Sequence, residues 1–394
     1  MKIIHANFAF YPSMGGTENE VYQYSRRMVE RGHDVTVITS NMVGYRQQIL
    51  PREEIIDGIR VIRFPVVLPF PFSKLLIAPK MIWKLPSIEA DVIHVFSFIP
   101  HFFTNYVAFY AIRRNIPLVW SPIYHPARQN AYKGLLAFIN TNVYEKWLGL
   151  EMLRKASYVT ALIPSEAAYY RERGIKNVIV KGLGLDDEVN CSQEDLNGFR
   201  ERYNLTANTI LFLSRIEKRK GAQHIIRAMP LVLQYYRNAK LLIAGGDMGY
   251  RSYLDKLCAE VNVRDSVVFT GNLNRSQIAY AFNVSKVFLL PSHYDVLPLA
   301  PLEAWLHKIP VIISSKVLGT ADMVSPENGI VIEEPSDYEA IARAVIELLS
   351  NPKKAKAMGE NGHRLVKEQF SWDRVVYKIE AVYKTVTSRR EPSR

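Results

Sequence analysis

Cysteine is scarce: the 394 residues hold two, Cys191 and Cys258, far apart and in no metal-ligand spacing. A disulfide framework is excluded, and a reduced, cytoplasmic setting is expected. The start, "MKIIHANFAFYPSMGG", has polar interruptions and ends in glycines, so no secretory leader is expected. One stretch without Asp, Glu, Lys or Arg, Val92 to Ile112, has the length of a membrane span. His94, Pro100, His101, Thr104 and Asn105 interrupt it, and it reads as a buried strand running into an apolar helix. The full G-x-G-x-x-G dinucleotide fingerprint is missing. No RNP-like, zinc or helix-turn-helix pattern is found, which argues against nucleic acid as a partner.

What is present is globular: 48% hydrophobic and 22% charged residues. The length exceeds the roughly 250–300 residues at which single cores stop growing, so two domains are expected. A net charge of +12 favours an anionic partner, whether nucleic acid, a negatively charged membrane surface or a phosphorylated substrate, and charge alone does not choose among them.

Strands alternate with helices through both halves, the pattern of an α/β protein with parallel sheets. "KIIHANF" is the first strand and "ENEVYQYSRRMVER" the first helix, with Val21, Tyr24 and Met28 as its buried stripe. Thr17 and Glu20 have the spacing of a capping box. A second series begins near residue 209 with "TILFLSR", "KLLIAGG", "VVFTG", "KVFLLPS", "PVIISS" and "GIVIEE". Glycines and acids at 181–195 mark the break between two doubly wound domains, with ligands expected at the carboxyl ends of the strands.

Three stretches carry candidate chemistry. Gly15 and Gly16 lie between the first strand and its helix, where backbone can approach an anion or simply turn. In "SRIEKRKG", Arg215 closes a strand and Lys220 follows five residues later. Two cations converging there would stabilise a leaving diphosphate, whereas Lys218 and Arg219 read as solvated. In "SHYDVLPLAPLEAW", Asp295 lies on a loop and Glu303 early on a helix that starts near Leu299. The N–H groups of Leu299 and Ala300 would offer an anion site, and both carboxylates could accept hydroxyl hydrogen bonds.

Together with "DVIH", "NGIVI" and "FSW", these stretches resemble the retaining family 4 glycosyltransferases in order and spacing. The resemblance implies the GT-B fold, two Rossmann-like domains facing across a cleft. It places the acceptor domain at 1–185 and the nucleotide-sugar-binding domain at 190–370, with a carboxyl-terminal helix, 371–388, crossing back to the first. It implies that Arg215 and Lys220 hold the donor diphosphate, that Gly16 lends it backbone, and that Glu303 binds the ribose. Asp295 falls where the family usually has Glu, beside the transferred sugar, and His125 resembles the family histidine near that sugar. Neither a metal nor another cofactor is implied, because no D-x-D pair stands at a matching position. Val296 and Ser214 replace common glycines, and the usual Pro-Asn-Gly is absent from "KGLGLD".

For the acceptor, residues 59–88 contain no acid but hold Arg60, Arg63, Lys74, Lys80 and Lys84 among apolar and aromatic side chains. "AYKGLLAFINTNVYEKWLGLEMLRK" is similar in character. Such mixtures suit either an anionic membrane surface or core elements with basic edges. A lipid-linked or membrane-associated acceptor is therefore expected, handled at the cytoplasmic face. The competing functions are a nucleotide-sugar epimerase or phosphorylase on the same scaffold, and a basic non-enzymatic binding protein.

Overall fold

The computed structural model of the chain describes residues 1–13, 16–43, 46–67, 78–97, 102–122, 149–186 and 189–388. The chain divides into two compact units, Met1–Gly184 with Trp372–Arg394, and Leu185–Ser371. The division falls within the glycine- and acid-rich stretch at 181–195.

The first unit is built on an eight-stranded sheet. Its order is Val178–Val180, Tyr158–Ala161, Leu118–Ser121, Val92–Phe96, Lys2–Ala6, Asp34–Ser40, Ile59–Phe64 and Glu53–Ile56. All neighbours pair parallel except the last two. Both faces are covered, which is why these strands read as nearly continuous apolar runs. On one face Ile4, Ile93 and Trp120 meet Phe103 and Val107 of helix Phe102–Arg113. On the other, Val21, Tyr24 and Met28 of helix Gly16–Glu30 pack with Val375, Val376, Ile379 and Tyr383 of helix Trp372–Ser388. Among the described residues, no helix is long and apolar enough to cross a membrane. The stretch Val92 to Ile112 is instead strand Val92–Phe96 and most of helix Phe102–Arg113.

Two polar features run through this core. Tyr383 Oη contacts His5 Nε2 at 3.0 Å and His94 Nδ1. His5 Nδ1 reaches Ser25 Oγ and His94 Nε2 reaches Ser121 Oγ, each at 2.7 Å. Burial lowers the pKa of both imidazoles, His5 to about 3 and His94 well below its ordinary value. Lys181 and Glu20, both buried, form an ion pair. Glu20, which the sequence suggested as a capping residue, thus directs its carboxylate to a lysine 161 positions away.

The second unit has a six-stranded, wholly parallel sheet. Its order is Val267–Gly271, Lys240–Ala244, Thr209–Leu213, Val287–Leu290, Val311–Ser314 and Gly329–Ile332. The direction of winding reverses between Thr209–Leu213 and Val287–Leu290, so the loops after these two strands flank the switch point where open α/β sheets bind ligands.

Candidate functional site

The two loops at the switch point are held together by backbone. After strand Thr209–Leu213, Ser214 N donates to Ala244 O at 3.0 Å and Ile216 N to Gly246 O at 2.8 Å. A Cβ on Gly221 would lie 2.0 Å from Pro291 O, and its φ is +86°, so the turn before helix Ala222–Tyr235 requires glycine. Across the gap, the buried Ser292 hydroxyl donates to Arg219 O and Tyr294 O, and His293 N donates to Arg219 O at 2.9 Å. Leu318 N to Asp295 O, 2.9 Å, and Gly319 N to Val296 O, 2.8 Å, fix the following residues against the next loop.

This packing produces a chain of alternating charges. Arg215 Nη2 lies 3.2 Å from Glu217 Oε1, and Arg219 Nη2 lies 2.8 Å from the same oxygen. Arg219 Nη1 is 3.7 Å from Asp295 Oδ1, and Lys220 Nζ is 2.7 Å from Asp295 Oδ2. Three cations face two carboxylates, leaving one positive charge in excess. The Lys220 side chain is 9% exposed whereas that of Arg215 is 54% exposed, so Arg215 is the more accessible to an anion. Arg219 corrects the sequence reading. It is not a solvated basic residue, because its guanidinium bridges both carboxylates and donates to Tyr294 O.

Helix Leu299–Leu306 starts after Pro298 with no side-chain cap. Its first N–H groups, those of Leu299 and Ala300, have no intrahelical partner, and Pro301 has no N–H to satisfy. Trp305 anchors the helix: its indole is fully buried against Gly362 and donates to Asn328 O at 2.9 Å. Glu303 sits one turn in, with its carboxyl pushed up to about 7 by burial and by the Asp186 carboxylate, partly offset by Arg275. Asp186 and Arg275 are themselves 3.5 Å apart.

Arg215, Lys220, Asp295, Leu299, Ala300 and Glu303 all belong to the second unit, on the loops and helix that follow its two central strands. Gly16 is in the first unit, where it opens helix Gly16–Glu30; a Cβ there would meet no described atom within 4 Å. Gly15 and His125 lie outside the described residues. Sequence reasoning missed Glu217 and Arg219. The signal for Glu217 was available, as an acid between two basic residues, but nothing local announces Tyr294 and Asp295 as partners of Arg219.

Comparison with known proteins agrees with this architecture. Residues 14–188 match the family described as Glycosyltransferase Family 4, and residues 194–365 match Glycosyl transferases group 1. An uncharacterized glycosyltransferase of Methanocaldococcus jannaschii is 30% identical over 402 residues, covering 98% of each chain. The GDP-mannose-dependent monoacylated alpha-(1-6)-phosphatidylinositol monomannoside mannosyltransferase of Corynebacterium glutamicum is 32% identical over 201 residues, 49% of this chain and 51% of its own. The solved structure of Anabaena Alr3699/HepE, in complex with UDP and glucose, shares the fold with a TM-score of 0.75. That match has 16% identity and covers 98% of this chain and 100% of the other. With its two Rossmann-like α/β units, the chain belongs to the glycosyltransferases of the GT-B fold.

Proposed function

We propose that this glycosyltransferase moves a sugar from a nucleoside-diphosphate donor to an acceptor hydroxyl with retention at the anomeric carbon. One observation carries the reading. Lys220, on the turn after one central strand, and Asp295, on the loop after the neighbouring strand, stand 2.7 Å apart at the switch point. A diphosphate placed there meets Arg215, Lys220 and the free N–H groups of Leu299 and Ala300. Glu303 accepts from the ribose hydroxyls, and Asp295 faces the sugar.

In the reaction, the acceptor oxygen attacks the anomeric carbon on the face from which the diphosphate departs. The carbon–oxygen bond to the diphosphate breaks, and the hydroxyl proton passes to a departing phosphate oxygen. No enzyme nucleophile takes part. Charge developing on the leaving group is met by Arg215 and Lys220, so neither a metal nor another cofactor is required.

The acceptor is a lipid or lipid-linked glycan at the cytoplasmic face of an anionic membrane. Trp83 is 84% exposed on the short helix Pro79–Lys84, between Lys80 and Lys84, and the chain carries a net +12. The relative from Corynebacterium glutamicum is named for a phosphatidylinositol mannoside acceptor. Residues 68–77 and 123–148, which hold most of the other basic-apolar sequence, lie outside the described residues.

A thermal-shift panel of UDP- and GDP-sugars tests the donor, because at a fixed concentration a tighter ligand stabilises the fold more. Transfer to a lipid acceptor then tests the reaction. Phosphate dependence, or turnover without an acceptor, would replace this reading with a phosphorylase or an epimerase. Co-sedimentation with anionic liposomes, reversed by salt, tests the membrane.

A further inference from the structure

Beside the donor-side residues, two imidazoles face each other. His224 lies in the first turn of helix Ala222–Tyr235, and His293 in the loop after strand Val287–Leu290. Their Nε2 atoms are 2.9 Å apart. His293 is exposed and His224 half-buried, so solvent reaches the pair. Gln223 closes a third side. Its amide nitrogen is 3.1 Å from His224 Nε2 and donates to Lys218 O at 2.9 Å. Its Oε1 is buried with no hydrogen-bond partner among the described residues.

At this separation one Nε2–H donates to the other Nε2, so the two ring nitrogens face each other. Partial burial keeps both rings neutral, with His224 lowered to about 4 and His293 lowered as well. Neutral imidazole is the common protein ligand for zinc and its neighbours. Zinc–nitrogen bonds of about 2.0–2.1 Å in tetrahedral geometry set two ligating nitrogens about 3.3–3.4 Å apart. The observed pair needs to open by about 0.4 Å to reach that spacing, with each ring turned so that its Nε2 lone pair points at the ion.

We propose that His224 and His293 form a two-histidine site for a borderline divalent transition-metal ion of the zinc class. Each Nε2 gives a lone pair to the ion, and water completes the coordination. The ring that donates within the pair moves its proton from Nε2 to Nδ1, so no net proton is released and nothing is oxidised. No cluster of three or more His, Cys, Asp or Glu side chains fit to hold a metal gathers among the described residues, so this is a weak, exchangeable site. Its placement gives occupancy a consequence. His293 N donates to Arg219 O, and Asp295 follows two residues later. An ion here would tie helix Ala222–Tyr235 to the loop that carries Asp295.

The test uses the full chain, stripped with a chelator and titrated with Zn²⁺ against an indicator. A parallel titration with Co²⁺ is read by visible absorption. One saturable Zn²⁺ site per chain is expected, weakened roughly tenfold or more by His224→Gln and by His293→Gln, since each removes one of two ligands. The Co²⁺ bands should be lost in both variants. Lys218→Ala removes a cation acting on His293 and should leave binding equal or tighter. Melting of each variant in metal-free buffer reports its folding separately. Unchanged affinity in either glutamine variant, or no saturable binding by the native chain, overturns the proposal. Neither result bears on the donor assignment, which the nucleotide panel reads independently.

Discussion

Lys220 Nζ stands 2.7 Å from Asp295 Oδ2, although 75 residues separate them in the chain. The two residues were assigned to different parts of the donor, one to the diphosphate and one to the sugar. Their pairing means that a diphosphate must draw Lys220 partly away from a carboxylate. Asp295→Asn keeps the shape of the side chain and removes its charge. Binding of UDP or GDP should therefore hold or tighten, by up to about tenfold, because a competing anion is gone. Transfer should fall by about 100-fold or more if Asp295 faces the reacting sugar. Calorimetry and initial rates measure the two effects; a parallel loss of nucleotide binding would contradict the assignment.

The cations should not be equivalent. Arg215→Ala and Lys220→Ala should each lower kcat/KM by about 100-fold, a typical loss for removing one charge-stabilising donor. Lys218→Ala should change it by less than about threefold, as an exposed charge does. Arg219→Ala should fall between, through Asp295 and Tyr294 rather than through the donor. It should thus lower kcat more than it raises KM. Equal effects across all four variants would mean that the clamp lies elsewhere.

Much of this site could be read from sequence because it is local. The strand–loop–helix order of "KVFLLPSHYDVLPLAPLEAW" fixes which residues end strands and which begin helices, and the helix does start at Leu299. The regular alternation of apolar strands and amphipathic helices likewise gave the α/β class of both units. Arg219 was hidden because a basic run looks solvated until Tyr294 and Asp295 arrive from another loop. Glu303 was identified, but its raised pKa depends on Asp186 and Arg275, distant in sequence. Glu20 and Lys181 misled for the same reason: one looked like a cap and the other sat in a presumed linker.

Glu303 makes a pH-dependent prediction. Burial and the Asp186 carboxylate push its carboxyl up to about 7 in the folded chain, from an ordinary value of about 4.5. Ribose hydroxyls donate to the ionised form, so nucleotide affinity should rise from pH 5.5 to 8. Glu303→Gln should weaken binding and flatten that rise. Stability runs in the opposite sense. The folded chain keeps a proton that the unfolded chain releases between pH 4.5 and 7, so ionisation at higher pH penalises the fold. Glu303→Gln should therefore raise the Tm of the nucleotide-free protein at pH 8, by the equivalent of about 2–3 kcal/mol, and barely change it at pH 5. A variant destabilised at pH 8 would show that Glu303 is not held in a desolvated site.

The histidine–tyrosine thread should make the first unit acid-sensitive. His5 and His94 are neutral in the fold, with pKa values below the ordinary 6.5. Their contribution is complete above pH 6.5 and is lost as pH falls toward the folded values, at about 1.4 kcal/mol per pH unit for each ring. Tyr383→Phe removes the hydroxyl that both rings contact and should cost about 1–3 kcal/mol at pH 7. Urea unfolding at pH 7 and pH 5 reads both effects. A pH-independent midpoint would mean that the rings are already protonated or hydrated.

The buried Lys181–Glu20 pair offers a separate test of the first unit. Taking both charges out of water is costly, and their attraction offsets that cost only while both are present. Lys181→Met should leave Glu20 as an uncompensated buried carboxylate and lose about 3–5 kcal/mol. Adding Glu20→Gln should recover most of that loss, because the remaining side chains are neutral and similar in size. Urea midpoints of the two variants and the native chain decide the matter. A single variant that loses less than about 1 kcal/mol would place the pair in contact with water, where ion pairs contribute little.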